Sequence, residues 1–160
     1  MANQKHAIFP GSFAPFSKGH QEIVTKALHI FDHIYIAVGQ NSEKQTYFSQ
    51  QQRVNWIESV YSKNKKITVI QFEGLTVDQC KDLNTTHIIR GVRDKDDFKF
   101  EQRIADHNKD LEPNIETILL LTSKKYSHIS STIIRDIIKN NGDLKPFLPK
   151  EIITAISHIN

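Results

Sequence analysis

Ala7-Ile8-Phe9-Pro10-Gly11-Ser12-Phe13-Ala14-Pro15-Phe16-Ser17-Lys18-Gly19-His20 decides how this 160-residue chain is read. The run from His6 to Phe9 is short and apolar, as in a first buried strand. Gln21 to Phe31 places Ile23, Val24, Ala27, Leu28 and Phe31 at helical spacing. Between them lies a loop with two glycines and two prolines. Glycine lets backbone N–H groups come close to a ligand. A helix start adds free donors and partial positive charge. Together they make an anion site with His20 in the first helical turn. The plainer reading is a Gly/Pro-rich connection in which His20 only helps to start a helix.

Working outward, short apolar stretches alternate with amphipathic ones. Strands are expected at Ala7–Phe9, Ile34–Gly39, Ile67–Phe72, His87–Ile89 and Thr117–Leu121. Helices are expected at Gly19–Phe31, Ser49–Tyr61, Val77–Leu83, Phe98–Leu111, Thr132–Asn140 and Pro149–Ile159. Ser49 with Gln52 reads as a capping box, and Gly142 as a helix stop. Several strands are apolar on both faces, as in a parallel sheet covered on both sides. Repeated βα units with right-handed crossovers predict an α/β fold: a Rossmann-like, doubly wound, parallel five-stranded sheet with helices on both faces. Ligands in such sheets bind beyond the carboxyl ends of the strands. Residues 1–160 read as a single domain.

Composition narrows the function classes. Hydrophobic residues make up 38% and charged residues 24%, which suits a globular core and opposes disorder. A net charge of +3 is too small to indicate a nucleic-acid binder, although a pI near 8.9 suits an anionic ligand. A lone cysteine, Cys80, excludes an internal disulfide and is compatible with a reducing compartment. No signal peptide is read at the N-terminus, and the longest apolar run, Ile118 to Leu121, is far too short for a membrane span. The expectation is a cytoplasmic protein without membrane or nucleic-acid partners.

Two more segments fall at strand ends. His87-Ile88-Ile89-Arg90-Gly91-Val92-Arg93-Asp94 sets two arginines around a glycine. Arginine forks bind phosphate oxygens through paired, charge-assisted hydrogen bonds. The alternative is two surface arginines paired with Asp94, Asp96 or Asp97. Tyr126-Ser127-His128-Ile129-Ser130-Ser131-Thr132-Ile133-Ile134-Arg135 brings hydroxyls to a helix start. These serve either as plain N-caps or as a seat for terminal phosphates. Cys80 reads as a packed side chain, and Trp56 as core or interface. His29, His33, His107 and His128 lack metal-ligand spacing, so no protein metal site is assigned. Lys63 to Lys66 reads as a solvated turn.

The opening loop matches G-x-F-x-P-x-x-x-G-H and resembles the signature of the HxGH nucleotidyltransferase superfamily. Ser17 stands at its first, usually His or Thr, position. Arg90 to Asp94, followed by Asp97-Phe98-Lys99-Phe100-Glu101, resembles the phosphopantetheine adenylyltransferase branch. Ile129-Ser130-Ser131-Thr132 with Arg135 resembles the superfamily's second signature, which is shared with mononucleotide adenylyltransferases. The resemblance runs from Ala7 to about Leu148. It implies transfer of AMP from ATP to 4′-phosphopantetheine, with Mg²⁺ on the triphosphate, a homohexamer and feedback binding of coenzyme A.

The resemblance also implies residue roles. His20 would donate to the α-phosphate, with Lys44, in the Asn41–Tyr47 loop, and Arg93 contacting phosphates. Ser12, Lys44, Thr76 and Arg90 would bind the acceptor. Ser12, Phe13, His20, Gly91, Arg93 and Glu101 would bind ATP, with Tyr126, Ser127, His128 and Ile129 near adenine. Ser130, Ser131 and Thr132 would take the β- and γ-phosphates. The departure is Ala14, where the family carries an aspartate that braces the loop. A catalytically silent nucleotide-binding protein is the contrasting reading that Ala14 motivates.

Overall fold

The computed structural model describes residues 4–40 and 47–159. Five parallel strands form its sheet: β1 (His6–Gly11), β2 (His33–Gly39), β3 (Ile67–Phe72), β4 (His87–Val92) and β5 (Glu116–Leu121). Their order is β3-β2-β1-β4-β5. The chain therefore winds outward from β1 to β3, then crosses back to build β4 and β5 on the other side. This is the α/β, doubly wound architecture expected from the alternating pattern. The helices are α1 (Lys18–Ala27), α2 (Gln50–Val60), α3 (Thr76–Asp82), α4 (Lys95–Leu111), α5 (Ser131–Lys139) and α6 (Lys150–Ser157).

The period-two alternation of a strand sorts the core into two layers. Ala7, Phe9, Ile34, Ile36, Val38 and Ile89 pack with the buried faces of α1, α2, α5 and α6. Ile8, Ala37 and Ile88 point the other way, onto Val77 and Cys80 of α3. Cys80 is thus a packed side chain, and burial pushes its thiol up to about 11. Trp56 is also buried, with its ring 4.6 Å from that of Phe48.

Boundaries differ from the periodicity where polar chemistry takes over. β1 continues to Gly11 and β4 to Val92, beyond the apolar runs that announce them. Arg90 and Gly91 lie inside a strand because ladder hydrogen bonds, not side-chain apolarity, hold them there. α4 begins at Lys95, a turn before Phe98, because the Asp94 carboxylate accepts from the N–H groups of Asp96 and Asp97. α1 stops at Ala27, short of Phe31. The capping box of Ser49 and Gln52 forms as read. After α5 it is Asn141, with φ of 54°, that takes the left-handed turn, and Gly142 N–H then reaches the Ile137 carbonyl.

Candidate active site

In an open parallel sheet a crevice forms where neighbouring strands send their connections to opposite faces. Here that point lies between β1 and β4. Two cavities share its floor. One, of about 420 Å³, is lined by Ser12, Gly39, Thr76, Arg90, Phe100 and Glu101, among others. The second, of about 340 Å³, is lined by Ser12, Phe13, His20, Gly91, Arg93, Glu101 and the 129–132 segment, with Tyr126. Pro10, Gly11, Ser12, Arg90 and Glu101 border both. A ligand in one cavity and a ligand in the other would meet over these residues.

His20 is held by the start of its own helix. Ser17 caps α1, and the Ser17 N–H donates to His20 Nδ1 at 3.0 Å. A backbone N–H can only donate, so Nδ1 is an acceptor and the ring proton belongs on Nε2. Among the described residues Nε2 has no protein partner. The ring lies on Phe16 at 5.5 Å and meets the edge of Phe13 at 5.1 Å. Burial, then the charges of Arg90 and Arg93, lower its pKa to about 3. His20 is thus a fixed, neutral N–H donor at pH 7. It cannot serve as a proton-accepting base without losing the bond that orients it.

The arginines are shaped by acidic partners from α4. Arg90 Nε and Nη2 donate to the two oxygens of Glu101 at 2.8 and 2.7 Å, and Nη1 donates to the Pro10 carbonyl. Glu101 is buried and Arg90 is half-buried, so this fork is directional and partly shielded from water. Arg93 donates through Nε to Asp97 at 2.9 Å and through Nη1 to the Ile129 carbonyl at 3.0 Å. Asp97, through its hydrogen bond with Arg93, raises the guanidinium's pKa. Each guanidinium keeps N–H groups beyond those used, because it carries five.

The third segment arrives as an N-terminus. Ser130 caps α5, its Oγ accepting from Ile133 N–H at 3.3 Å, and Ser130, Ser131 and Thr132 line the second cavity. This places the positive end of α5 across from His20's loop. Arg135 then ties α5 to that loop: its Nη1 donates to the Ala14 carbonyl at 2.8 Å. Ala14 itself is 4% exposed. Alanine offers no side-chain acceptor to the loop N–H groups, and the Arg135 bond is made to its main chain alone.

The residues singled out from the sequence mostly converge. Ser12, Phe13, His20, Gly91, Arg93, Glu101, Tyr126, Ile129, Ser130, Ser131 and Thr132 line the second cavity, and Thr76 with Ser12 and Arg90 lines the first. Ser127 and His128 stand off the lining; Ser127 Oγ donates to the Lys124 carbonyl, and His128 faces Phe147 at 6.5 Å. Lys44 lies outside the described residues. Gly91 has a steric reason: a Cβ there would sit 2.9 Å from Ile23 of α1. The Arg93–Asp97 pair is the one the plainer reading of these arginines expects, whereas Arg90 takes Glu101 instead. One further residue lies outside the sequence expectations: Arg53 holds the Ser12 carbonyl. The signal for Arg53 was available: it is four residues from Ile57, hence on the apolar face of α2.

A donor histidine, two forked arginines and a helix N-terminus around one crevice define a nucleotidyltransferase-type site. The family model for cytidylyltransferase-like proteins matches residues 8–137. Phosphopantetheine adenylyltransferase of Flavobacterium psychrophilum is 44% identical over 148 residues, 92% of this chain and 97% of that protein. Those of Cytophaga hutchinsonii and Levilactobacillus brevis are 43% and 37% identical, over 92% and 94% of this chain and 99% and 93% of theirs. The chain belongs to the phosphopantetheine adenylyltransferase family.

Proposed function

We propose that this chain transfers AMP from ATP to 4′-phosphopantetheine, reversibly, giving dephospho-coenzyme A and pyrophosphate. The observation that carries the mechanism is His20: neutral, clamped by Ser17, with Nε2–H left for a ligand. The acceptor phosphate has a second pKa near 6, so at pH 7 it is already a dianion and needs no base. Its oxygen attacks the α-phosphorus in line. The new O–P bond forms as the bond to the β-phosphate bridging oxygen breaks, and pyrophosphate carries the electron pair away. No covalent enzyme intermediate forms. The chain supplies position and charge stabilisation.

The two cavities support a division of the substrates. Pantetheine occupies the first cavity, past Thr76, with its phosphate at Ser12 and Arg90. ATP occupies the second, with its α-phosphate at His20 and its terminal phosphates on Ser130, Ser131 and the α5 N-terminus. Among the described residues no three His, Cys, Asp or Glu side chains converge, and Asp97 and Glu101 are engaged by arginines. Mg²⁺ would come with ATP and neutralise charge on its phosphates, with no described residue assigned to hold it. Assembly as a homohexamer, which would cover the exposed Phe98, Phe100 and Leu111 of α4, and feedback by coenzyme A at the same crevice complete the reading.

Pyrophosphate release from ATP, followed over a panel of acceptors, tests it. Phosphopantetheine should support release and nicotinate mononucleotide should not. ATP binding without release from any acceptor would favour the silent nucleotide-binding protein. The nucleophile is already ionised, so the missing aspartate leaves the chemistry available, and pyrophosphate release restored only in Ala14→Asp would refute retained activity.

A further inference from the structure

Arg53 is 1% exposed, yet it is a full positive charge in the first half of α2. Among the described residues no carboxylate pairs with it. Among the described residues its partners are backbone carbonyls. Nε donates to Phe48 at 3.3 Å, and Nη1 donates both to Gly39 at 3.0 Å and to Ser12. Gly39 ends β2, and Ser12 follows the end of β1. One guanidinium nitrogen thus bridges two neighbouring strand ends at the ligand edge of the sheet. Burying an unpaired cation is costly unless every donor it turns inward is used.

The consequence falls on the peptide between Ser12 and Phe13. Across a trans peptide the N–H points opposite to the C=O. Fixing the Ser12 carbonyl on Arg53 fixes the Phe13 N–H on the side away from α2. That N–H donates to no protein group among the described residues. Phe13 also has φ of 47°, a left-handed conformation that a bulky side chain takes only when its surroundings impose it. Phe13 lines the second cavity, and Ser12 lines both.

We propose that Arg53 is a positioning residue for adenylyl transfer: its buried fork locks the Ser12–Phe13 peptide so that the Phe13 N–H faces the reacting phosphates, and its charge adds to their attraction. This rests on the adenylyl-transfer reading above. Carbonyls held by Arg53 are also kept from facing an incoming anion.

Arg53→Lys and Arg53→Met separate the two contributions. Two readouts are needed: calorimetric binding of inorganic pyrophosphate, and kcat with KM for pyrophosphate release from ATP and phosphopantetheine. Arg53→Met should lose about tenfold in pyrophosphate affinity and about 100-fold in kcat. Arg53→Lys should recover the affinity to within about threefold but not kcat, because one ammonium cannot hold three carbonyls as a planar fork does. A folded Arg53→Lys with the parent's kcat overturns the proposal. So does equal loss of affinity in both variants, which removes the charge contribution. Failure of both to fold, seen by circular dichroism, overturns it too, since Arg53 would then be a residue of the fold. If the parent releases no pyrophosphate, the adenylyl-transfer reading fails, while the binding comparison still judges Arg53.

Discussion

His20 shows how much one side chain takes from its immediate neighbours. Its donor role comes from Ser17, three residues earlier, which occupies Nδ1. Glutamine at this position can still complete the capping box but cannot place an N–H where Nε2 stands. His20→Gln should therefore keep a thermal midpoint near that of the parent and lose about 10²–10³-fold in kcat, as expected for one missing charge-stabilising donor. The pH response carries a second signature. With a folded pKa of about 3 against 6.5 when unfolded, His20 binds its proton only in the unfolded chain across that interval. Its contribution to stability is full above pH 6.5 and is lost as the pH falls toward 3, at up to about 1.4 kcal/mol per pH unit. Urea unfolding at pH 6.5 and 4.5 should show a smaller loss in His20→Gln than in the parent. Equal losses would count against a neutral, buried imidazole.

At the scale of elements, the site is a set of helix starts pinned to strand ends. Ser130 both caps α5 and opens its N–H groups toward the cavity. Ser130→Ala should cost about 1 kcal/mol in stability and raise the KM for ATP more than that for the acceptor. The packing of β4 on α1 is tested at Gly91. Gly91→Ala drives a methyl against Ile23, which is 2% exposed and has little room to yield. An overpacking cost of about 1–3 kcal/mol is expected, together with a fall in kcat, because α1 carries His20. An unchanged kcat would mean that α1 absorbs the shift without moving the histidine. Glu101→Gln leaves α4 intact but removes the charge that forks Arg90. Acceptor KM should rise while ATP KM changes little, as steady-state kinetics with each substrate varied would reveal.

The whole molecule decides what these elements have in common. Winding in the order β3-β2-β1-β4-β5 brings residues 9–20, 88–101 and 122–132 to one crevice. A ligand bound there grips both halves of the sheet, so it should stabilise the entire cooperative unit. ATP at 100 times its dissociation constant should add about 2.7 kcal/mol to the unfolding free energy, read as a rise in thermal midpoint. A shift of that kind in the parent but not with adenosine would place the binding energy in the phosphates. Among the described residues no helix is long and apolar enough to cross a membrane.

Strand periodicity, helix spacing and the capping residues Ser17, Ser49 and Ser130 were local properties, and local sequence determined them. The strand–loop–helix form of residues 7–20 is local too, because its glycines, prolines and histidine act within a dozen residues. Other features could not be read along the chain. Asp94 starts α4 before its apolar pattern begins, and Arg90 and Gly91 extend β4 through backbone pairing with β5. The Ala14 carbonyl is held by Arg135, 121 residues away, a tie that no local pattern announces. Arg53 lies on the apolar face of α2 by spacing, but the carbonyls it holds, Ser12 after β1 and Gly39 at the end of β2, come from distant segments. The physical reason is the same in each case. Helix, turn and cap energies depend on neighbours a few residues apart, whereas the partner of a buried charge or carbonyl is chosen only when distant segments pack and water is excluded.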